Sequence, residues 1–190
     1  MTRPLLTALL YATLALAANP AIAGTLTEDL EALREGDMRK LIVHQAPRPV
    51  ADVAFLDADG QPVQVSDSNG KVRVLNFWAT WCAPCRAEKP TLDALNRTMG
   101  GADFEVIAVA TGRNSDAALK RFNDQFGIET LATYTDRTSE LARAVGVLGL
   151  PVTLILDRQG REVGRVSGGA DWSADAVRAI LDRIAQDPAS

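Results

Sequence analysis

Both cysteines of the chain fall within one five-residue phrase, Trp81-Cys82-Ala83-Pro84-Cys85. A pair at this spacing can cycle between dithiol and disulfide, hold a metal, or staple a turn. The staple is the weakest reading, because closing so short a ring removes little entropy from the unfolded chain and the gain grows with loop length. A zinc site wants four N/S ligands; beyond the two sulfurs the chain offers a single histidine, His44, with Met38 and Met99 in no clustered pattern. Reactivity is the better account of the pair. The thiolate is the attacking species. At the start of a helix, unpaired N–H groups and the macrodipole favour an anion. A thiol pKa lowered from about 8.5 to about 7 would raise the thiolate fraction at pH 7 from a few per cent to about half. Cys82 then attacks, and Cys85, one turn further in, breaks the mixed disulfide so formed. Pro84 suits a first helical turn, where it has no N–H to leave unpaired.

The segments that must position this pair begin with an export signal. Arg3 supplies a positive start, Leu5 to Ala18 is an uncharged apolar run, and Ala21-Ile22-Ala23 offers a processing site before Gly24, the order of a secretory leader. The run falls short of the roughly 20 residues an ordinary span needs. The expectation is a leader over 1–23, cleaved near Ala23-Gly24, and a periplasmic protein; if the segment stayed uncleaved it would be a membrane anchor. No cysteine stands near residue 24 to carry a lipid. Exported proteins work where disulfides persist, so one vicinal pair there reads as a redox worker. The net charge of −4 leaves no basic stripe for nucleic acid.

The remaining chain suits one domain by length, divided as an N-terminal helix and linker over 24–47 and a main domain over 48–187. Thr27 is expected to cap a helix running to about Lys40, with Leu26, Leu30, Leu33, Met38 and Leu41 as a partial apolar stripe. His44-Gln-Ala-Pro47-Arg-Pro49 reads as an extended linker with an exposed histidine. Val53–Leu56 and Val63–Val65 flank a turn and predict a hairpin. Val72–Phe77 reads as a buried strand. A helix follows from about Ala83 to Met99 with Leu92 and Leu95 inward, then a strand over Phe104–Ala110 and a helix capped by Ser115-Asp116 and stopped by Gly127. An extended piece near Leu131–Tyr134, a helix around Ser139–Val145, and a hairpin of Val152–Leu156 with Glu162–Val166 come next. A last helix capped by Ser173 carries Ala176, Val177, Ile180, Leu181 and Ile184 inward. Strands alternating with helices and closing on a hairpin give an α/β sandwich around a mixed sheet.

The run Val74-Leu-Asn-Phe-Trp-Ala-Thr-Trp-Cys-Ala-Pro-Cys-Arg-Ala-Glu-Lys-Pro90 resembles the active-site segment of the thioredoxin superfamily, and more narrowly its exported TlpA/ResA/CcmG branch. The likeness spans roughly residues 48–185. It implies a thioredoxin fold, with the N-terminal hairpin and a TlpA-type central insertion between Ala110 and Pro151. Asn76 stands where cytoplasmic thioredoxins carry a buried aspartate. Glu88 matches the branch's glutamate, implied to move protons for the deeper cysteine. Pro90 matches the proline that kinks the active-site helix. Gly149-Leu150-Pro151-Val152-Thr153 is similar to the segment holding the family's cis-proline, which implies that Pro151 packs against the cysteines and Leu150 offers its backbone to an extended substrate. Trp78 and Trp81 match the family's aromatic pair, Trp81 lining the partner surface. Ala83, between the cysteines, varies among relatives and tunes a potential the sequence does not reveal.

The resemblance implies a thiol–disulfide oxidoreductase that reduces partner-protein disulfides of the cytochrome c or copper-site assembly type. It would be recharged through a membrane donor of the DsbD/CcdA kind. No cofactor beyond the Cys82–Cys85 pair is implied. Two alternatives stand beside it: an oxidant of the DsbA kind, disfavoured by Ala-Pro between the cysteines, and a Cu(I)- or Zn-binding metallochaperone. A peroxidase lacks its Thr-x-x-Cys.

Overall fold

Strand β4 (Val72–Trp78) is buried along its whole length, as a strand covered on both faces must be. The computed structural model describes residues 25–189, so the leader expected at 1–23 lies outside them. Around β4 an eight-stranded sheet forms in the order β1-β8-β7-β4-β5-β6-β2-β3, built from β1 (Ile42–Arg48), β2 (Phe55–Leu56), β3 (Pro62–Val63), β5 (Phe104–Thr111), β6 (Tyr134–Asp136), β7 (Val152–Leu156) and β8 (Glu162–Ser167). Strand β4 runs parallel to β5, and β5 to β6, while β7, β8, β1, β2 and β3 join antiparallel. The result is a mixed α/β thioredoxin-like fold.

Alternation along β4 divides the core. Val72, Val74 and Trp78 face α2 (Ala83–Met99), α3 (Asp116–Phe126) and α5 (Asp175–Ala185), meeting Leu92, Leu95, Phe122 and Ile180. Leu75 and Phe77 face the other layer with Leu141 and Ala142 of α4 (Glu140–Ala144). Between β5 and β7 lie the crossover helix α3 and, as the extended piece and extra helix expected of the central insertion, β6 and α4. Ser115 caps α3 by accepting from the Ala118 amide, and Gly127 ends it at φ 62°, a left-handed conformation glycine adopts without steric cost. The carboxylate of Asp93, on α2, accepts from the amides of Glu129, Thr130 and Leu131 and so moors the insertion to the active-site helix.

Four expectations are corrected. The N-terminal helix is short: α1 (Leu26–Ala32) is capped by Thr25, which forms a capping box with Glu28, whereas the Thr27 hydroxyl donates to the His44 carbonyl. A separate 3-10 turn spans Gly36–Lys40, with Gly36 at φ 53° breaking the helix. The linker over 44–49 is largely β1, paired to β8; Pro47 is tolerated because β1 is a sheet edge, where a missing N–H breaks no inner ladder. His44 is 6% exposed, not solvated. Its Nε2 lies 2.7 Å from Glu162 Oε1, and Glu162 also receives Arg165 Nε and Nη2, each at 2.6 Å. Finally, Ala174 rather than Ser173 opens α5; the Ser173 hydroxyl donates to Asp171. The extended piece expected near 131–134 sits slightly later, as β6.

Candidate active site

Helix α2 opens at Cys82, its N-cap residue, whose Sγ accepts from the Cys85 amide at 3.3 Å. Pro84 lies in the first turn, as the missing N–H allows. Cys82 and Cys85 are joined in a disulfide. Cys82 is 7% exposed and Cys85 fully buried, so of the two only Cys82 keeps any access to solvent. The preceding loop is fixed by Asn114 after β5, whose Oδ1 accepts from the amide and hydroxyl of Thr80, both at 2.9 Å.

Beneath the pair, β4 and α2 meet through polar groups in an otherwise apolar layer. Asn76 Nδ2 donates to Glu88 Oε1 and to Thr153 Oγ1, each at 2.9 Å. The other carboxylate oxygen of Glu88 accepts from the Ala170 amide at 3.1 Å and from Trp172 Nε1 at 3.2 Å. Glu88 is 3% exposed. Burial pushes its carboxyl above the usual range, opposed by the hydrogen bonds from Trp172, Ala170 and Asn76 and by the charge of Lys89. A carboxyl in this setting can hold and release a proton nearer neutrality than a surface glutamate does.

The Leu150–Pro151 peptide is cis. Strand pairing places Val152 beside Phe77, which sets Pro151 at the end of β4 from which the cysteine loop departs. Leu150 is half-buried, while Trp81 is 65% exposed and Trp78 buried. Two grooves flank the pair. One, of about 260 Å³, is lined by Thr80, Trp81, Arg86, Arg121 and Phe122 among others. The other, of about 330 Å³, runs between Pro84, Glu88, Thr91, Gly169, Asp171 and Asp37. The Gly169 loop lies against the active-site turn, with a Cβ position 3.4 Å from the Pro84 carbonyl.

The structure therefore brings Cys82, Cys85, Asn76, Trp78, Pro84 and Glu88 together, with Trp81 on the rim and Leu150-Pro151 at the strand end beside them. Asn114, Lys89, Ala170 and Trp172 escaped the sequence reading. Lys89 carries a local signal, since with Cys85, Glu88 and Leu92 it completes an i, i+3, i+4, i+7 stripe that should face the core. Trp172 carries none, because only folding brings the loop after β8 to α2. Among the described residues no group of three or more His, Cys, Asp or Glu converges as a metal site.

The family model described as Redoxin matches residues 45–180. The chain belongs to the Redoxin family. Two curated relatives of this Redoxin chain are both described as thiol-disulfide oxidoreductase ResA. That of Geobacillus kaustophilus is 32% identical over 127 residues, 67% of this chain and 71% of the relative. That of Bacillus thuringiensis subsp. konkukian is 30% identical over 112 residues, 59% of this chain and 64% of the relative. The Redoxin chain thus spans somewhat less than two thirds of the latter's length. Among solved structures, a putative thiol:disulfide interchange protein DsbE from Chlorobium tepidum is 27% identical, covering 73% of this chain and 96% of that one, with a TM-score of 0.63. A secreted thiol-disulfide isomerase from Corynebacterium glutamicum, 22% identical with 76% and 92% covered and a TM-score of 0.66, shares the fold. These likenesses place the Redoxin chain in the ResA/CcmG-like branch of the thioredoxin superfamily.

Proposed function

We propose that this protein is a thiol–disulfide oxidoreductase that acts outside the cytoplasm as a reductant of partner-protein disulfides. The observation that carries the reading is the asymmetric pair at the start of α2: Cys82 retains 7% exposure, while Cys85 has none and lies one turn before Glu88. In the reduced protein the Cys85 amide that faces Cys82 Sγ, and the helix N-terminus behind it, would favour the Cys82 thiolate. That thiolate attacks one sulfur of a partner cystine, forming a mixed disulfide and releasing the other sulfur as a thiolate that takes up a proton. Cys85 then loses its proton and attacks Cys82 Sγ, forming the Cys82–Cys85 bond and releasing the second partner sulfur, which takes up a proton in turn. Two electrons pass to the partner, and the protein is left with its disulfide closed.

Glu88 serves as the proton acceptor for Cys85 in this scheme, and Asn76 holds its carboxylate in place. Trp81, Pro84 and the backbone at Leu150-Pro151 receive the partner as an extended segment. Partners of the cytochrome c or copper-site assembly type fit the family resemblance. A membrane donor of the DsbD/CcdA kind would return two electrons and two protons. The apolar leader at 1–23 supports a periplasmic location.

Reduction of an insulin-type disulfide tests the cycle. Cys82→Ser should abolish turnover, and Cys85→Ser should accumulate a mixed disulfide visible on a non-reducing gel. Full activity in Cys82→Ser would overturn the mechanism. A mostly oxidised pair in the periplasm, with a high reduction potential, would overturn the reductant direction and favour an oxidant.

A further inference from the structure

The buried residues of α2 include two ionisable groups that the cycle above leaves unused, Asp93, which binds the 129–131 amides, and Lys89. Lys89 is 2% exposed, on the stripe where Cys85 is i−4 and Leu92 is i+3. Residues so spaced are neighbours on a helix surface, and helical side chains lean toward the N-terminus. Lys89 therefore reaches back toward the turn that carries Cys85. Its Nζ stands 4.1 Å from the centroid of the Trp78 ring. Among the described residues it has no hydrogen bond or ion pair, and it borders a cavity of about 10 Å³, at the limit of a single water.

An apolar residue would fill this position without desolvating a charge, and an ammonium taken from water costs several kcal/mol unless something offsets it. The offsets in place are the Trp78 face, the neighbouring Glu88 and, one turn further, Asp93. Burial draws the Lys89 pKa down to about 7, against the attraction of Glu88 and Asp93, so the group changes charge in the neutral range. The charged or titratable neighbours are few. On α2 they are Glu88 and Asp93, and β6 contributes Tyr134, whose burial keeps it neutral to higher pH than usual. The residues that line the cavity from β4, β5 and α3, namely Trp78, Ala108, Leu119 and Asn123, carry no ionisable group. Around Cys85, Asp37 and Asp171 rim the groove on the far side of Pro84.

We infer that Lys89 is a positioning residue for the resolving step: its buried ammonium, one helical turn from Cys85, offsets the Glu88 carboxylate and stabilises the Cys85 thiolate. When Cys85 passes its proton to Glu88, the carboxyl becomes neutral and the new thiolate carries the negative charge, which Lys89 as a cation favours. The pair keeps the local charge near neutral while the thiolate attacks Cys82 Sγ. By linkage the thiolate in turn holds the proton on Lys89. The site then works best where Lys89 is still protonated, and its advantage fades as pH rises past neutrality.

This inference deepens the proposed dithiol cycle, but the experiment separates the two. In a Cys82→Ser background, the ultraviolet absorbance of the Cys85 thiolate is followed against pH with and without Lys89→Met. The Cys85 titration should move upward by about one unit in Lys89→Met, so that the thiolate fraction at pH 7 falls roughly tenfold. Superimposable curves would overturn the inference and leave Lys89 as packing. Should Lys89→Met fail to fold, NMR titration of the Lys89 side chain in the unaltered protein decides. Its midpoint should lie at higher pH in the reduced than in the oxidised form, and the same midpoint in both would overturn the inference. Neither readout requires a partner disulfide, so a failure of the reductase reading would appear only in turnover.

Discussion

Three residues from two separate parts of the chain converge on the carboxylate of Glu88: Asn76 from β4, and Ala170 and Trp172 from the loop after β8. Replacing it by glutamine keeps the shape and removes the proton-accepting group. Glu88→Gln is expected to slow disulfide reduction at pH 7 on the order of a hundredfold, within the usual range for a lost acid–base group. A pH–rate profile should show the limb governed by Glu88 disappear. Stability gives an independent check. The Glu88 carboxyl is raised in the folded state by burial, so its contribution is fully present below the unfolded value of about 4.5 and is lost as pH rises through the folded value. Urea unfolding at a series of pH values should show this loss in the unaltered protein and not in Glu88→Gln. At this scale the Cys82–Cys85 pair was legible from its spacing, whereas Glu88 and the cis peptide before Pro151 were expected only from the family resemblance.

Among the elements, α2, α3, β4, β5 and the β7–β8 hairpin were legible for a related reason: caps, Gly stops and buried apolar runs are local signals. Strand β1 was not. Pro47 and Pro49 argue locally for a break, and only the position of β1 at a sheet edge makes Pro47 harmless. Strand β1 is held to its neighbour by the buried His44–Glu162–Arg165 cluster. Burial opposes the Glu162 carboxylate, yet hydrogen bonds and charge from Arg165 and His44 overcome it and hold its pKa below the usual range. Stability from this group is present above about pH 4.5 and lost as pH falls through the lower folded value. Glu162→Gln should cost about 3 kcal/mol at pH 7, since it removes the buried carboxylate that bonds the partly buried Arg165 and His44. The variant's stability should also be flatter against pH in the acid range, which chemical unfolding at pH 3 to 7 would measure. Equal stability of the two proteins at pH 7 would sink this account of β1.

Across the whole molecule, the N-terminal segment ahead of the main domain packs onto the side of the fold that supports the active site. Leu30, Met38 and Leu41 are each 1% exposed within the core under α2 and α5, and Asp29 binds Arg183 of α5 at 2.7 Å. The 3-10 turn reaches the loop that holds Glu88: Lys40 Nζ donates to the Gly169 carbonyl at 2.8 Å, and Asp37 accepts from the Asp171 amide at 3.0 Å. Met38→Ala empties a fully buried site and should cost about 3 kcal/mol. A loss of unfolding free energy below about 0.5 kcal/mol in urea titration would show the segment to be loosely attached.

The sequence by itself determined the redox pair, the helix that begins at it, the α/β order of the elements and the family the motif resembles. All of these rest on residues within a few positions of one another, where propensity, capping and spacing act. Only the tertiary structure decided that His44 is buried, that residues 42–48 complete the sheet, and that Trp172 and Ala170 hold Glu88 more than 80 residues away along the chain. It also decided that Lys89 lies against the Trp78 ring. The physical reason is that burial and long-range hydrogen bonding depend on which distant surfaces pack together, and no local pattern encodes that choice. The two cysteines announce a redox site, while the buried setting of Glu88 and Lys89 beside them is assembled by the fold.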